Sequence, residues 1–264
     1  MNISEAIFLG MIQGISEFLP ISSTAHVILF SKLFKISIPD SAFFIFLNIG
    51  TLLALIFYYF HDVWKLFLGA LDFIFLKKTN NRELFLTLFL SSLPVFIIFG
   101  IAEIIFDFKL EAPLILASSM IIFAIILYFC DQKPTTKTNV NRRDSILTGI
   151  AQVASIIPGV SRLGACLSMM RYCGYARIEA FRYSIILSLP PVVGACFLKF
   201  LKVAIGKIVI SDWNLIIFGC ISAFIFGLLT LNLINFFLKK FSLLPLVIYR
   251  IFFGFLLLYL HTSW

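Results

Sequence analysis

Residues 13–26 read QGISEFLPISSTAH and interrupt an apolar segment that covers residues 3–34. Pro20 disfavours helix at the residue before it, and the hydroxyl run at 22–24 offers N-caps for a second helix. Each of the two helices would be too short to cross a bilayer, which takes about 20 residues. We therefore predict a broken, re-entrant helix pair, a structure that membranes tolerate only where the freed backbone lines a cavity.

A second apolar segment, residues 146–170, is interrupted in a similar way. Pro158-Gly159 breaks the chain, and Ser161 can cap the helix that follows. The two interruptions share a Pro-x-x-Ser spacing, in Pro20-Ile-Ser-Ser23 and in Pro158-Gly-Val-Ser161. This echo indicates two related re-entrant hairpins.

The composition of the rest of the chain excludes most soluble classes. Of 264 residues, 61% are hydrophobic and only 13% are charged, against about 25% charged in soluble domains. The apolar runs are long and continuous, whereas a membrane β-barrel would alternate within segments of about 10 residues. The sequence predicts an all-α integral membrane protein with spanning helices near 41–60, 84–106, 113–130, 183–201, 213–238 and 244–260.

The net charge is +8, and the distribution of the basic residues along the chain orients these helices. Many of the basic residues fall in 61–83, 131–144 and 171–182 and at Lys239-Lys240, which the positive-inside rule places in the cytoplasm. No soluble segment combines basic and aromatic residues in a patch, so we expect no nucleic-acid partner.

The number of spans between the two breaks gives the topology. Three spanning helices separate the two hairpins. Because three crossings bring the chain to the opposite side of the membrane, the first hairpin enters from outside and the second from inside. Each hairpin is followed by three spans, which is an inverted-topology repeat. We predict one membrane domain, residues 1–264, with halves at about 1–130 and 145–264.

The polar residues at the two breaks form a candidate anion site. Gln13 and Glu17 share a helix face, and hydroxyls and His26 follow them. Arg162 lies in the first turn of a helix, where a cation is disfavoured unless an anion binds there. Ionisable groups at membrane depth cost at least about 2.5–3.5 kcal/mol each, so they need partners. The alternative is that Glu17 and Arg162 form a purely structural ion pair.

These same residues resemble a known family. Gln13-x-x-x-Glu17 followed by SSTxH at 22–26 is similar to the first signature of the undecaprenyl-diphosphate phosphatases, also called bacitracin-resistance proteins. Pro158-Gly-Val-Ser161-Arg162 resembles their second signature, PGxSRS. The stretch 43–50 and Tyr249-Arg250 look similar too. The chain departs from the family pattern at Gln13, which is a permitted variant, and at Phe44, Asn48, Leu163 and Cys166, with Ala25 where Gly is usual.

The resemblance implies an enzyme of the bacterial plasma (inner) membrane. It would remove the terminal phosphate of a C55 polyprenyl diphosphate, recycle the lipid carrier for peptidoglycan synthesis and confer bacitracin resistance. The family uses a divalent cation, Mg²⁺ or Ca²⁺, and can form homodimers.

The expected roles of the candidate residues follow from the chemistry of phosphoryl transfer. Glu17 and Gln13 would hold the metal, and Arg162 with the helix N-termini would bind the diphosphate. His26 would act as general base or proton shuttle, while Ser23 would be the nucleophile or an oxyanion donor, with water left open as the nucleophile. The remaining substrate-binding candidates are Ser22, Thr24, Gly159 and Ser161.

Two readings other than an enzyme stay open at this point. Broken helices that meet at the membrane midplane also occur in transporters, so a polyprenyl-phosphate flippase without hydrolysis is the alternative. A structural scaffold is the third class. Arg250, near the start of the last span, is expected to extend its charge to the membrane surface, with a role in the site as the alternative.

Overall fold

A computed structural model describes residues 1–36, 41–105, 113–206 and 212–261. In these ranges the chain is helical and contains no extended strand. The helices are α1 (Ile3–Glu17), α2 (Ser23–Leu33), α3 (Ser41–Tyr58), α4 (Phe60–Ile74), α5 (Asn80–Ile105), α6 (Pro113–Asp131), α7 (Arg142–Gln152), α8 (Arg162–Tyr172), α9 (Arg177–Ala204), α10 (Trp213–Lys240) and α11 (Leu244–His261).

Four of the described helices are long and apolar enough to cross a membrane: α5, α6, α9 and α10. The bent pair of α3 and α4 is a candidate fifth span, and Leu244–Leu260 in α11 is a shorter apolar helix. These helices fall where the six spans were predicted. The prediction of an all-α membrane protein is confirmed.

The segment after the first predicted span is not the simple polar loop that the sequence suggested. Residues 60–74 form α4, whose axis makes an angle of 92° with that of α3. The polar stretch 77–83 is short, because α5 already begins at Asn80. Similarly, α9 begins at Arg177, so most of 171–182 is helix. With 61–83 in the cytoplasm, the charge pattern also predicts an outer loop at 107–112, which lies outside the described residues.

Both predicted helix breaks are present. α1 ends at Glu17 and α2 begins at Ser23, on either side of Pro20. In the second segment α7 continues into a 3₁₀ turn, Val153–Ile156, and α8 begins at Arg162. Each broken pair precedes longer helices, which is the element order that the two predicted halves require. The division at 1–130 and 145–264 itself stays a prediction.

Each broken pair packs against a helix from the other half of the chain, and we call this arrangement exchanged packing. α1 packs along α10, and α7 packs along α5. Both contacts use glycine, because a Cβ at Gly10 or Gly14 would collide with backbone atoms of α10, and one at Gly149 would collide with the Ser91 carbonyl oxygen of α5. Small residues that let helix backbones approach closely are typical of membrane helix interfaces. The exchange fixes the position of each break.

The predicted cytoplasmic segments lie together at one end of the molecule. Asp131 accepts hydrogen bonds from Arg171 and from Arg177, at 3.0 and 2.8 Å, and from the Leu243 N–H. The Asp62 carboxylate is paired with Arg182 through two contacts of 2.6 and 3.0 Å. These pairs join residues 60–74, the end of α6, and the starts of α9 and α11. The segments that the charge pattern assigns to one side of the membrane therefore lie together at one end of the molecule.

Asp144, in the first turn of α7, belongs to the same polar end. Its carboxylate accepts hydrogen bonds from Lys137 at 2.5 Å, from Asn141 at 2.9 Å and from the Tyr175 hydroxyl at 2.8 Å. Desolvation disfavours the charged form, but the bonds from Lys137 and Tyr175 outweigh it and lower the pKa of Asp144. A carboxyl group whose pKa is lowered on folding stabilises the protein above its unfolded pKa of about 3.9.

Replacement of the Asp144 carboxylate tests how much its hydrogen bonds stabilise the protein. We expect Asp144→Asn to lower the free energy of unfolding at pH 7 by about 1–3 kcal/mol, since a charged hydrogen-bond acceptor is lost. The difference from wild type should shrink as the pH falls below about 4, where wild type loses the same charge. Thermal unfolding in detergent at several pH values measures it. Glu179→Gln, at an exposed carboxylate, is the control and should change little. A pH-independent difference would contradict the interpretation.

Candidate active site

The two helix breaks meet at a cavity of about 840 Å³. Its polar wall comes from both broken pairs, with Glu17, Ser22, Ser23 and Thr24 from the first and Pro158, Ser161 and Arg162 from the second. The other walls are mainly apolar and come from α5 and α9, through residues such as Val95, Phe96, Phe99, Val192 and Leu198. The cavity therefore has one polar surface and an extended apolar one.

The Glu17 carboxylate is the centre of the polar wall. Its Oε1 accepts a hydrogen bond from the Arg162 guanidinium at 3.1 Å, and its Oε2 accepts one from the Ser23 hydroxyl at 2.5 Å. The Gln13 amide donates to the same Oε2 at 3.1 Å and to the Asn48 side chain at 3.3 Å. Residues far apart in the sequence are thus joined by one carboxylate.

The Glu17–Arg162 pair is accessible from the cavity. The side chains are 17% and 27% exposed, and both line the cavity. A pair whose only role was structural would be expected to be sealed by neighbouring side chains. The exposure favours the anion-site interpretation over the purely structural one.

The start of α2 leaves its backbone donors available. Ser22 occupies the N-cap position, but its side chain makes no capping hydrogen bond, and the Ser23 hydroxyl donates to Glu17 instead. Ser22 also has a φ of 72°, a left-handed conformation that is uncommon outside glycine. Orphan N–H groups at a helix start attract anions. The predicted hydroxyl caps are therefore absent here, and the backbone is free to bind a ligand.

The start of α8 is built differently. The Ser161 side chain accepts a hydrogen bond from the Gly164 N–H at 3.1 Å, as a serine N-cap should. Before it, Gly159 has a φ of +90°, and the Pro158 carbonyl accepts a bond from the Ser119 hydroxyl at 2.5 Å. Gly159 does not line the cavity, so its role is to shape the turn that presents Ser161 and Arg162.

Arg250 holds the two breaks together. Its guanidinium donates to the carbonyl of Pro20 at 2.6 Å, to that of Gly159 at 3.4 Å and to that of Met120 at 3.3 Å. The side chain is 1% exposed, so it does not extend to the membrane surface as the sequence suggested. Two of these acceptors, the carbonyls of Pro20 and Gly159, lie at the breaks outside the helices, and the third belongs to α6.

His26 is not in the cavity. Its Nδ1 lies 2.8 Å from the Ser22 carbonyl oxygen and its Nε2 lies 2.7 Å from the Tyr249 hydroxyl, while its ring stacks on Phe253. A carbonyl can only accept, so Nδ1 carries the proton and Nε2 accepts from Tyr249. Neither nitrogen is available to a substrate, which argues against the expected role as general base. The ring supports the strained Ser22 turn.

The donor set around Glu17 fits a hard divalent cation in kind. Carboxylate, amide and hydroxyl oxygens are what Mg²⁺ and Ca²⁺ prefer, and Mg²⁺ commonly binds through one or two carboxylates plus substrate phosphates. Glu17, Ser23 and Asn48 line the cavity, whereas Gln13 lies behind Glu17 and is buried. No group of three or more acidic, His or Cys side chains with metal-site geometry occurs among the described residues.

Several contributors to the site were not identified from the sequence. In the sequence, Asn48 is a departure from a family pattern and an amide in a spanning helix, and no motif there includes Ser119. Tyr249 was quoted as part of a motif without a role. Polar residues inside apolar runs are the signal that could have pointed to all three, although such residues often make only interhelical hydrogen bonds.

The turn at Gly159 can be tested against a matched glycine. A Cβ there would collide with the Ser119 hydroxyl and lie 2.5 Å from the Leu116 carbonyl oxygen, whereas one at Gly206, with a φ of +72°, would meet nothing. We expect Gly206→Ala to cost about 1–2 kcal/mol from strain alone and Gly159→Ala to cost more. Thermal unfolding of both variants compares them. Equal losses would show that Gly159 is needed for its backbone angle only.

The comparisons with known proteins agree with this geometry. The model of the bacitracin resistance protein BacA family matches residues 6–256. A protein of Aliivibrio salmonicida named undecaprenyl-diphosphatase is 34% identical, with 96% of each chain covered. Proteins of the same name from Marinobacter nauticus and Moorella thermoacetica are each 33% identical, with 95% of this chain and 96% and 95% of theirs covered. The chain therefore belongs to the bacitracin resistance protein BacA family.

Proposed function

We propose that this protein hydrolyses undecaprenyl diphosphate to undecaprenyl phosphate and inorganic phosphate. The reaction recycles the lipid carrier of peptidoglycan synthesis, in the plasma membrane of a bacterium, and confers bacitracin resistance. The observation that carries the proposal is the Glu17–Arg162 pair, which faces a cavity with both a polar and an apolar wall. The name of the curated relatives points to the same reaction.

The two walls of the cavity suit the two parts of this substrate. The diphosphate binds Arg162, whose guanidinium can contact two oxygens at once, and the N–H groups at the start of α2. The isoprenoid lies along α5 and α9, against residues such as Phe96 and Leu198. The diphosphate then contacts the polar wall of the cavity, and the isoprenoid contacts the apolar wall.

The contact between Ser23 and Glu17 provides the nucleophile and its base. At 2.5 Å the hydroxyl is within proton-transfer distance of the carboxylate. The Ser23 oxygen forms a bond to the terminal phosphorus, its proton passes to Glu17, and the bond to the bridging oxygen breaks as undecaprenyl phosphate leaves. Water then hydrolyses the phosphoserine and releases phosphate. Direct attack by water, with Ser23 as a hydrogen-bond donor, is the alternative.

A divalent cation, Mg²⁺ or Ca²⁺, would be held by Glu17, with Gln13 and Asn48 as amide neighbours. When bound, it supplies neutralisation of charge on the phosphate oxygens. Arg162 orients the same carboxylate and provides positive charge from the protein itself. The chain's own residues thus bind the head group and hold the proton acceptor in place.

His26 acts in this proposal as a positioning residue. It holds the Ser22 carbonyl, and Ser22 is the residue that directs Ser23 toward Glu17. The original expectation of a general base would need a free ring nitrogen facing the cavity.

The remaining expectations are compatible with this function. A single membrane domain with two inverted halves would bring the two breaks to a common point, and the family resemblance also implies a homodimer. The flippase alternative is not favoured, because the relatives are named for diphosphatase activity.

Phosphate release from undecaprenyl diphosphate by the purified protein tests the proposal. We expect release with Mg²⁺ or Ca²⁺ and loss with a chelator. Glu17→Gln and Arg162→Lys should each lower kcat/KM by about 10²–10³-fold, since the base and the bidentate contact are lost. Arg142→Gln and Glu83→Gln, which remove an exposed pair with a contact of 3.3 Å, are the matched controls and should keep full activity. Lipid movement across vesicles without phosphate release would favour the flippase.

A pH profile separates the two roles of His26. If the ring only positions Ser22, His26→Asn lowers kcat but leaves the acidic limb of the profile in place. If the ring is the base, the variant loses the limb near the usual histidine pKa of about 6.5. Tyr249→Phe should lower kcat by less than His26→Asn, since only one of the two bonds to the ring is removed.

A further inference from the structure

The helix α4 differs in direction from the membrane-spanning helices. It follows α3 after a single intervening residue, Tyr59, and its axis makes an angle of 92° with that of α3. α3 coincides with the span that the sequence predicts at 41–60, and a helix perpendicular to a spanning helix runs parallel to the membrane plane. The pairs that tie 60–74 to the polar end, such as Asp62 with Arg182, place α4 at that end of the molecule.

One face of α4 is fixed against the protein. Gly69 is buried, and a Cβ there would collide with the Asn81 carbonyl oxygen of α5. Phe73 packs against Phe85 of α5, with ring centroids 5.9 Å apart. The orientation of the helix about its own axis is therefore determined, and so is the identity of its outer face.

The outer face of α4 is an uncovered aromatic row. Phe60, Trp64 and Phe67, the α4 aromatic row, are 61%, 47% and 50% exposed. Trp64 stacks between the other two, with centroid distances of 6.2 and 5.3 Å. Tryptophan in such a position is typical of the boundary between acyl chains and head groups.

Unpaired cations accompany this row. Four cations belong to α4 and the segment that follows it, and we call them the α4 cations. Lys65 lies in the helix, Lys77 and Lys78 lie just after it, and Arg82 lies in the first turn of α5. Within the described ranges, no carboxylate lies at ion-pair distance from any of them. Of the neighbouring acids, Asp62 and Glu83 are neutralised by Arg182 and Arg142, from other helices. Asp72 accepts a hydrogen bond from the Thr79 hydroxyl and has no ion-pair partner among the described residues, so the four cations exceed it by three charges. Arg82 lies over the Phe73 ring, and its buried Nε has no hydrogen-bond partner.

We propose that α4 is an interfacial helix that binds acidic phospholipids. The α4 aromatic row enters the acyl boundary of the leaflet, and the α4 cations bind the phosphates of anionic head groups there. A perpendicular amphipathic helix with an aromatic face and flanking Lys and Arg has the physical properties of such an element. The charge of the segment favours acidic lipids, because neutral lipids would contact the α4 aromatic row but would give the α4 cations no anionic partner. This binding does not depend on the proposed catalytic activity.

Fluorescence of Trp64 gives a direct test. The full chain carrying Trp213→Phe and Trp264→Phe reports from Trp64 alone. It is reconstituted into vesicles of phosphatidylcholine and phosphatidylglycerol, and each lipid in turn is replaced by its brominated form, which quenches tryptophan on contact. We expect both to quench, with brominated phosphatidylglycerol more effective by about threefold at equal content.

Charge variants then test the acidic-lipid preference. Lys77→Gln with Lys78→Gln removes two of the four α4 cations and should reduce the ratio of the two quenching efficiencies from about threefold to below about twofold. The matched control, Lys239→Gln with Lys240→Gln, removes the same charge from exposed positions on α10 and should leave the ratio unchanged. Neither pair belongs to the catalytic site, so phosphate release in detergent should be unaffected and reports on folding.

Two results would overturn the proposal. Absence of quenching by either brominated lipid would show that the α4 aromatic row is in water or is covered by a second copy of the chain, which a dimer mass would identify. Equal quenching by both lipids in the protein with all lysines intact would show that α4 lies in the bilayer without selecting acidic lipids.

Discussion

A helix that stops inside an apolar environment leaves carbonyl and N–H groups without partners, and this constraint governs the structure. The cost of such groups in a membrane is several kcal/mol each. Arg250 meets it for both breaks at once, by donating to the carbonyls of Pro20 and Gly159 from a fully buried position. A guanidinium suits this task because its donors form a rigid fork with several directions. No carboxylate among the described residues neutralises it.

The charge balance of the site follows from that choice. Glu17 provides one negative charge, while Arg162 and Arg250 provide two positive charges, and the helix starts add partial positive charge. The site is therefore electropositive overall although its central residue is an acid. An anionic head group restores the balance, and the carboxylate remains close enough to Ser23 to accept a proton. Binding and chemistry use the same small set of contacts.

Much of this arrangement could be predicted from local sequence, and the exceptions have physical reasons. The breaks were predictable because Pro20 and Pro158-Gly159 act on their immediate neighbours. The helix α4 was missed because it mixes charged and aromatic residues, and hydropathy alone does not distinguish a surface helix from a loop. The partners of Arg250 and the direction of the His26 ring depend on contacts made across the fold, which composition and spacing do not encode.

The exchanged packing of the broken pairs has a consequence for biosynthesis. α1 leaves the ribosome long before α10, the helix that it packs along. The apolar surface of α1 and its two contact glycines, Gly10 and Gly14, must wait through insertion of the intervening helices. Until α10 arrives, lipid or an insertion factor has to shelter that surface. Packing of α10 against α1 is therefore a late step of maturation, and the first break reaches its final position only then.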